Sequence, residues 1–163
     1  MDGNGETQEV MDHSSESAID LKGLFPDEVA AALTPLGVPA FRGKQVFGWL
    51  HRRLATDFAE MTDLPAALRR ALAARFRLTA LREVARRAAP DGTTKFLFAL
   101  PDGQTVETVY LPVAARATVC VSTMVGCPFG CTFCATGQSG FRRNLSAAEI
   151  VDQVYRVQAG LPQ

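Results

Sequence analysis

The sequence predicts an α/β protein in three parts: a small helical region, an antiparallel β extension, and a strand–loop–helix unit. Three observations carry that reading. Apolar residues recur at helical spacing between Leu21 and Leu78. From Leu81 the pattern changes to strand-like runs separated by Asp-Gly turns, at Asp91-Gly92 and Asp102-Gly103. Three cysteines then follow a further strand-like run, Ala117 to Thr123, in a loop that also carries Gly126, Pro128 and Gly130. A chain of 163 residues is enough for one domain of ordinary size.

Residues 1–20 are polar and hold six acids (Asp2, Glu6, Glu9, Asp12, Glu16 and Asp20) with no Lys or Arg. Their apolar surface is too small to offset the entropy of ordering them, so a disordered acidic tail is expected. Residues 21–79 read as a helical accessory domain. Pro26-Asp27-Glu28 suits a first helical turn, where Pro is tolerated and acids meet the positive end of the dipole. That helix runs to about Leu33, and Leu36-Gly37-Val38-Pro39 is a turn. A second helix is expected from Phe41 to Leu54, with Val46, Trp49 and Leu50 on one stripe. A third is expected from Pro65 to Phe76, on Leu68, Leu72 and Phe76. Trp49 and the phenylalanines are expected in its core.

Residues 80–116 read as a linking β-hairpin: Thr94 to Leu100, the turn Pro101-Asp102-Gly103, and Gln104 to Tyr110. Residues 117–163 read as a strand, the cysteine loop and a helix. Ser146 and Glu149 fit a capping box, and Ile150, Val154 and Val157 form a helical face that ends near Gly160 and Pro162.

Seventeen basic and seventeen acidic residues balance overall, but outside the first twenty residues eleven acids face all seventeen bases, fourteen of them arginine. A basic body with an acidic tail suits a polyanionic partner; a solvated basic face accounts equally well for any single arginine. No apolar run approaches the ~20 residues that span a bilayer. The N-terminus has neither the basic segment nor the apolar core of a secretory signal. A protein of the cytoplasm, with no membrane partner, is expected, because crowded cysteines suit a ligand cluster in a reducing compartment better than two disulfides.

Cys127, Cys131 and Cys134 have the spacing C-x3-C-x2-C. Structural zinc fills four N or S positions at short ligand spacings. Here Cys120 is separated from Cys127 by six residues, and His51 is far upstream. Three thiolates instead suit a [4Fe–4S] cluster with one iron left for a small molecule.

This spacing, with Phe133 just before the last cysteine, resembles the radical S-adenosylmethionine (SAM) superfamily. The flanks narrow the resemblance: Ala117-Thr118-Val119-Cys120-Val121-Ser122, Cys131-Thr132-Phe133-Cys134-Ala135-Thr136-Gly137-Gln138 and Gly140-Phe141-Arg142-Arg143-Asn144-Leu145. They are similar to the RlmN/Cfr family of dual-specificity rRNA/tRNA adenine-C2 methyltransferases. So are Pro39-Ala40-Phe41-Arg42-Gly43-Lys44-Gln45-Val46-Phe47 and Asp57-Phe58-Ala59-Glu60-Met61-Thr62-Asp63-Leu64-Pro65. The resemblance implies that Cys127, Cys131 and Cys134 hold the [4Fe–4S] cluster, with Phe133 beside the bound SAM. It implies methylation of 23S rRNA and tRNA through a methyl-cysteine intermediate, with electrons from a reducing donor. Cys120 matches the cysteine that resolves the protein–RNA adduct through a disulfide; a small buried side chain on a strand is the plainer reading. Glu107 matches a proposed proton acceptor, and a solvent-facing strand carboxylate is the plainer reading there. The helical domain would grip RNA through Arg42, Lys44, Arg52 and Arg53.

The same resemblance implies that residues 117–163 open a partial (β/α) barrel and supply only its first strand–helix unit. The chain is therefore expected to act as a monomeric, inactive N-terminal fragment that lacks the methyl-carrying cysteine. Val119, Val121, Ile150, Val154 and Val157 are expected to lack the partners that would cover them. Three other readings stay open: an RNA-binding module without catalysis, another radical SAM enzyme sharing only the loop, and a zinc protein using all four cysteines.

Overall fold

The computed structural model describes residues 18–113 and 116–161. The tail expected over residues 1–20 lies largely outside them. Its last two residues are a correction: Ile19–Asp20 form strand β1, paired in parallel with β2, Phe76–Arg77. Asp20 is ordered because its carboxylate is used twice. It accepts from the Lys22 N–H at 3.0 Å, capping the 3₁₀ turn Leu21–Gly23, and from the Thr79 N–H at 3.0 Å and the Thr79 hydroxyl.

Helix α1, Pro26–Leu33, starts as expected, with the Phe25 N–H donating to Glu28 Oε2 at 2.7 Å. Helix α2 is Phe41–His51 and stops short of the expected Leu54. The Arg52 and Arg53 N–H groups both turn to the Gly48 carbonyl, and Leu54 takes a left-handed φ of 56°, which ends the helical ladder. Asp57 caps the short turn Phe58–Glu60. Helix α3, Ala66–Arg75, follows Pro65, and Phe76 has already entered β2. Leu21, Val29, Leu33, Val46, Leu50, Met61, Leu68 and Leu72 fill the core between these helices. Two aromatic expectations fail: Phe25 and Phe41 are exposed, 75% and 53%. Trp49 is only partly buried, because its indole N–H reaches out to Asp63 Oδ1 at 2.5 Å.

The linking hairpin is larger than expected. Strands β3 (Arg82–Ala88), β4 (Thr94–Ala99), β5 (Thr105–Val113) and β6 (Arg116–Cys120) form one antiparallel sheet in sequence order. The two expected Asp-Gly turns join β3 to β4 and β4 to β5. The run from Arg116 to Cys120 therefore pairs antiparallel with β5 on one edge, and a boundary at residue 116 cuts through that pairing. The reason is chain length: a parallel crossover needs a dozen or more residues, and β5 and β6 are too close for one.

The inner face of this sheet presents Phe96, Phe98 and Val106 to a second core, completed by Leu81, Val125, Leu145 and Val157. Helix α5, Ala147–Gly160, supplies Val157 and carries the expected capping box, with Ser146 N–H donating to Glu149 and Glu149 N–H to Ser146 Oγ. The expectation of uncovered residues fails for three of the five: Val157 is fully buried, and Val119 and Ile150, partly buried, pack against the same core. Val154 faces out instead, at 37% exposure. The helix buries Glu149, Asp152 and Gln153 in its place.

Helix α5 also ties the sheet to the helical region. Lys22 Nζ, 1% exposed, donates to Asp152 Oδ1 at 2.7 Å and to the Thr79 carbonyl. The Asp152 carboxylate accepts further from the Leu81 N–H at 2.6 Å and Arg156 Nε at 3.0 Å. Beside this pair, His51 Nδ1 and the Tyr155 hydroxyl are hydrogen-bonded at 2.5 Å, and burial, then Lys22, push the imidazole pKa down. No helix among the described residues is long and apolar enough to cross a membrane.

Candidate metal centre and reactive face

The cysteine loop springs from a two-strand clasp, β7 (Met124–Val125) against β8 (Arg143–Asn144). Three backbone bonds close its mouth: Cys127 N–H to the Gly140 carbonyl, Arg142 N–H to Val125, and Leu145 N–H to Thr123. Gly126 permits that closure. Its φ is 71°, and a Cβ there would fall onto the Gly140 carbonyl oxygen. Inside the loop the Cys134 N–H donates to the Cys131 carbonyl at 3.1 Å and leads into a single turn, α4, Ala135–Gln138. The Gln138 amide closes back onto the Thr132 carbonyl at 2.6 Å.

Arg143 braces the clasp, and sequence reasoning missed its role. Its Nε donates to Asp102 in the β4–β5 turn at 2.8 Å, and its two terminal nitrogens form a fork on Glu149 at 2.9 and 2.8 Å. That bond holds the Asp102 carboxyl below its ordinary pKa. Burial opposes ionisation of Glu149, but the Arg143 fork and the Ser146 N–H outweigh it, and its pKa is also lowered.

Gln153 is the second missed residue. It is fully buried on α5. Its carbonyl oxygen accepts from the Thr108 hydroxyl at 2.8 Å and the Ser122 N–H at 2.9 Å, while its amide donates to the Ser122 carbonyl at 2.9 Å. One side chain thus clamps both backbone groups of Ser122, on the path from β6 into the loop. The Ser122 hydroxyl in turn donates to the Glu107 carbonyl at 2.7 Å. The sequence signal was present, a glutamine on the buried side of an amphipathic helix, but helical spacing does not say what it holds.

All four cysteines are free thiols; Cys120 is exposed, and Cys127, Cys131 and Cys134 are partly exposed. Cys120 is not the small buried side chain that strand pattern alone suggested. Glu107 is also exposed and pairs with Lys95 Nζ at 2.8 Å. Strand register puts Glu107 and Cys120 on the same outward face, since Cys120 sits opposite Val109, two residues from Glu107 along β5. A groove lined by Leu97, Thr105 and Glu107 on one side and Val125, Gly126, Ala135, Thr136 and Arg142 on the other joins that face to the cysteine loop. Phe133 projects from the loop at 91% exposure. The donor set suits a [4Fe–4S] cluster in kind: three unpaired thiols in a Gly- and Pro-bearing loop. Among the described residues no three His, Cys, Asp or Glu side chains converge as a metal-binding group, so the thiols share the loop without forming a gathered ligand set.

The chain is similar in fold to a radical SAM methyltransferase. That protein, from Sphaerobacter thermophilus, superimposes with a TM-score of 0.78 and 45% identity, over 88% of this chain and 44% of that structure. The family described as ribosomal RNA large subunit methyltransferase N-terminal domain matches residues 19–78. The probable dual-specificity RNA methyltransferase RlmN of Heliobacterium modesticaldum is 53% identical over 148 residues, covering 88% of this chain and 38% of that protein. The RlmN of Halorhodospira halophila is 48% identical over 145 residues, with 89% and 40% covered. The chain belongs to the RlmN family, and it spans about two-fifths of the length of these curated relatives.

Proposed function

We propose that this chain supplies the cluster-binding loop and the RNA-gripping N-terminal region of a radical SAM adenine-C2 methyltransferase acting on 23S rRNA and tRNA in the cytoplasm. The observation that carries this reading is the groove between Glu107 on the sheet and the loop that bears the three thiols, with Cys120 on the same outward face as Glu107. A [4Fe–4S] cluster held by Cys127, Cys131 and Cys134, with SAM and an electron donor, would supply the one-electron chemistry that a poorly nucleophilic adenine C2 requires. Phe133, beside Cys134 and exposed, would cover a small molecule at the loop. Glu107 lies on an open face where it can take the proton that C2 loses once the new bond has formed. Cys120, a free exposed thiol, can reach a covalent protein–RNA adduct and release it by forming a disulfide. Strand β6 ends the sheet order, so its far edge is where the strands of a partial barrel would add. Arg42, Lys44, Arg52 and Arg53 would meet phosphates; Arg53 is already stacked on Trp49, 4.1 Å from the ring centre. The chain is expected to work as a monomer, and these 163 residues alone are expected to form no 2-methyladenine.

A chimera tests this: the chain replaces the matching N-terminal segment of the Heliobacterium relative, and 2-methyladenine is measured by mass spectrometry. The chimera is expected to methylate RNA. Glu107→Gln should slow it by about 10²–10⁴-fold, the usual contribution of a positioned base, and Cys120→Ala should stop turnover. Full activity in both variants would contradict the proposed roles, and a folded chimera that bound RNA without methylating it would favour the non-catalytic reading.

A further inference from the structure

The outward face of the sheet carries a feature that its stability does not explain. Strand register places Arg87 directly opposite Lys95, Lys95 opposite Val109, and Val109 opposite Cys120. Like charges facing each other across strands destabilise a sheet. Lys95 is half exposed, and among the described residues its one ion pair is with Glu107. Arg87 is exposed, and none of the ion pairs among the described residues includes it. Its neighbour Arg86 shows what an arginine with an internal role looks like: it stacks on Phe96 at 4.7 Å, pairs with Glu83 and donates to the Gly160 carbonyl at 3.1 Å. Arg142, exposed on the far wall of the groove that holds Glu107, has no side-chain hydrogen bond among those of the described residues. Three outward cations thus flank the proposed reactive face, and an anion laid along it would relieve their repulsion.

We propose that this face, with Arg87 and Lys95 paired across β3 and β4 in the row that ends at Cys120, is a second RNA-contact surface, separate from the helical domain. It would hold the phosphodiester backbone of an unpaired strand beside Glu107. The proposal rests on the RNA-methyltransferase reading above. An enzyme that acts on a base takes it out of the stack, so the flanking backbone must be held as single strand. Adjacent strands are ~4.8 Å apart, so the row from Arg87 to Cys120 is about 14 Å long, room for a few nucleotides. Electrostatics supplies the binding, since each phosphate neutralised releases counterions.

The test is the salt dependence of binding of a short unstructured RNA to the 163-residue chain by fluorescence anisotropy. Three proteins are compared: wild type, Arg87→Gln/Lys95→Gln, and Arg52→Gln/Arg53→Gln in the helical domain. Both sheet residues are exposed, so unfolding midpoints should match wild type and a folding failure would be seen directly. Single-strand contacts contribute ~0.7 each to the slope of log K against log salt, so the sheet variant should lose about 1.4. A sheet variant with the wild-type slope, while the helical variant loses slope, would overturn this surface and leave the functional reading intact. No RNA binding by wild type would overturn both. A loss of slope in the sheet variant, with or without one in the helical variant, establishes the second surface.

Discussion

Asp152→Ala is expected to be the most destabilising single substitution in this chain, by about 3–5 kcal/mol. The carboxylate is fully buried and answers three donors from three places: Lys22 Nζ before α1, the Leu81 N–H before β3, and Arg156 one turn further along α5. Its removal leaves a 1%-exposed ammonium with only the Thr79 carbonyl, and an unmatched charge in such a place is far more costly than a lost surface pair. Lys22→Met should cost less, because Asp152 keeps the Leu81 and Arg156 donors. Thermal and urea unfolding check both. The midpoint should fall by roughly 10 °C for Asp152→Ala, and a larger loss for Lys22→Met would show that the ammonium, not the carboxylate, organises the junction.

Gly126→Ala is expected to abolish cluster binding while leaving the helical core folded. Two penalties add there. Alanine at a left-handed φ costs ~1–2 kcal/mol, and the new Cβ has no room against the Gly140 carbonyl. The loop mouth must open, breaking the Cys127 N–H bond to Gly140. Gly37→Ala is the control: its φ is 65°, but open space surrounds the site, in the helical region away from the loop. Gly37→Ala should cost ~1 kcal/mol or slightly more and keep its iron. Equal iron contents in the two variants would show that the Gly126 closure does not govern the loop.

The sequence was most informative where a residue's role is local. The first turn of α1, both Asp-Gly turns and the Ser146–Glu149 box depend on neighbours within four positions, and all form as read. Pairing direction was less legible. The run at Ala117 has the composition of a buried strand, but only the short path from β5 makes it an antiparallel partner. Helix α5 was misjudged for another reason. Of its expected stripe, Val154 faces out, because Glu149, Asp152 and Gln153 turn inward to Arg143, Lys22 and Ser122, the last two 130 and 31 residues away in sequence. Of the candidate site, Cys127, Cys131 and Cys134 were proposed from their spacing, and Glu107 and Cys120 from their flanks. Arg143, Gln153 and the row from Arg87 to Cys120 were not, because each exists only once register and long-range contacts are set.

The function proposed for this chain requires that Cys127, Cys131 and Cys134 bind an iron–sulfur cluster. The direct measurement is iron, sulfide and zinc per chain after anaerobic reconstitution, with the visible charge-transfer absorbance, for wild type and the Cys127→Ala/Cys131→Ala/Cys134→Ala variant. The expected result is a brown wild-type protein with one [4Fe–4S] cluster per chain and a colourless variant with none. A colourless wild-type protein carrying zinc on its four cysteines, or a triple variant that kept its full iron, would contradict it.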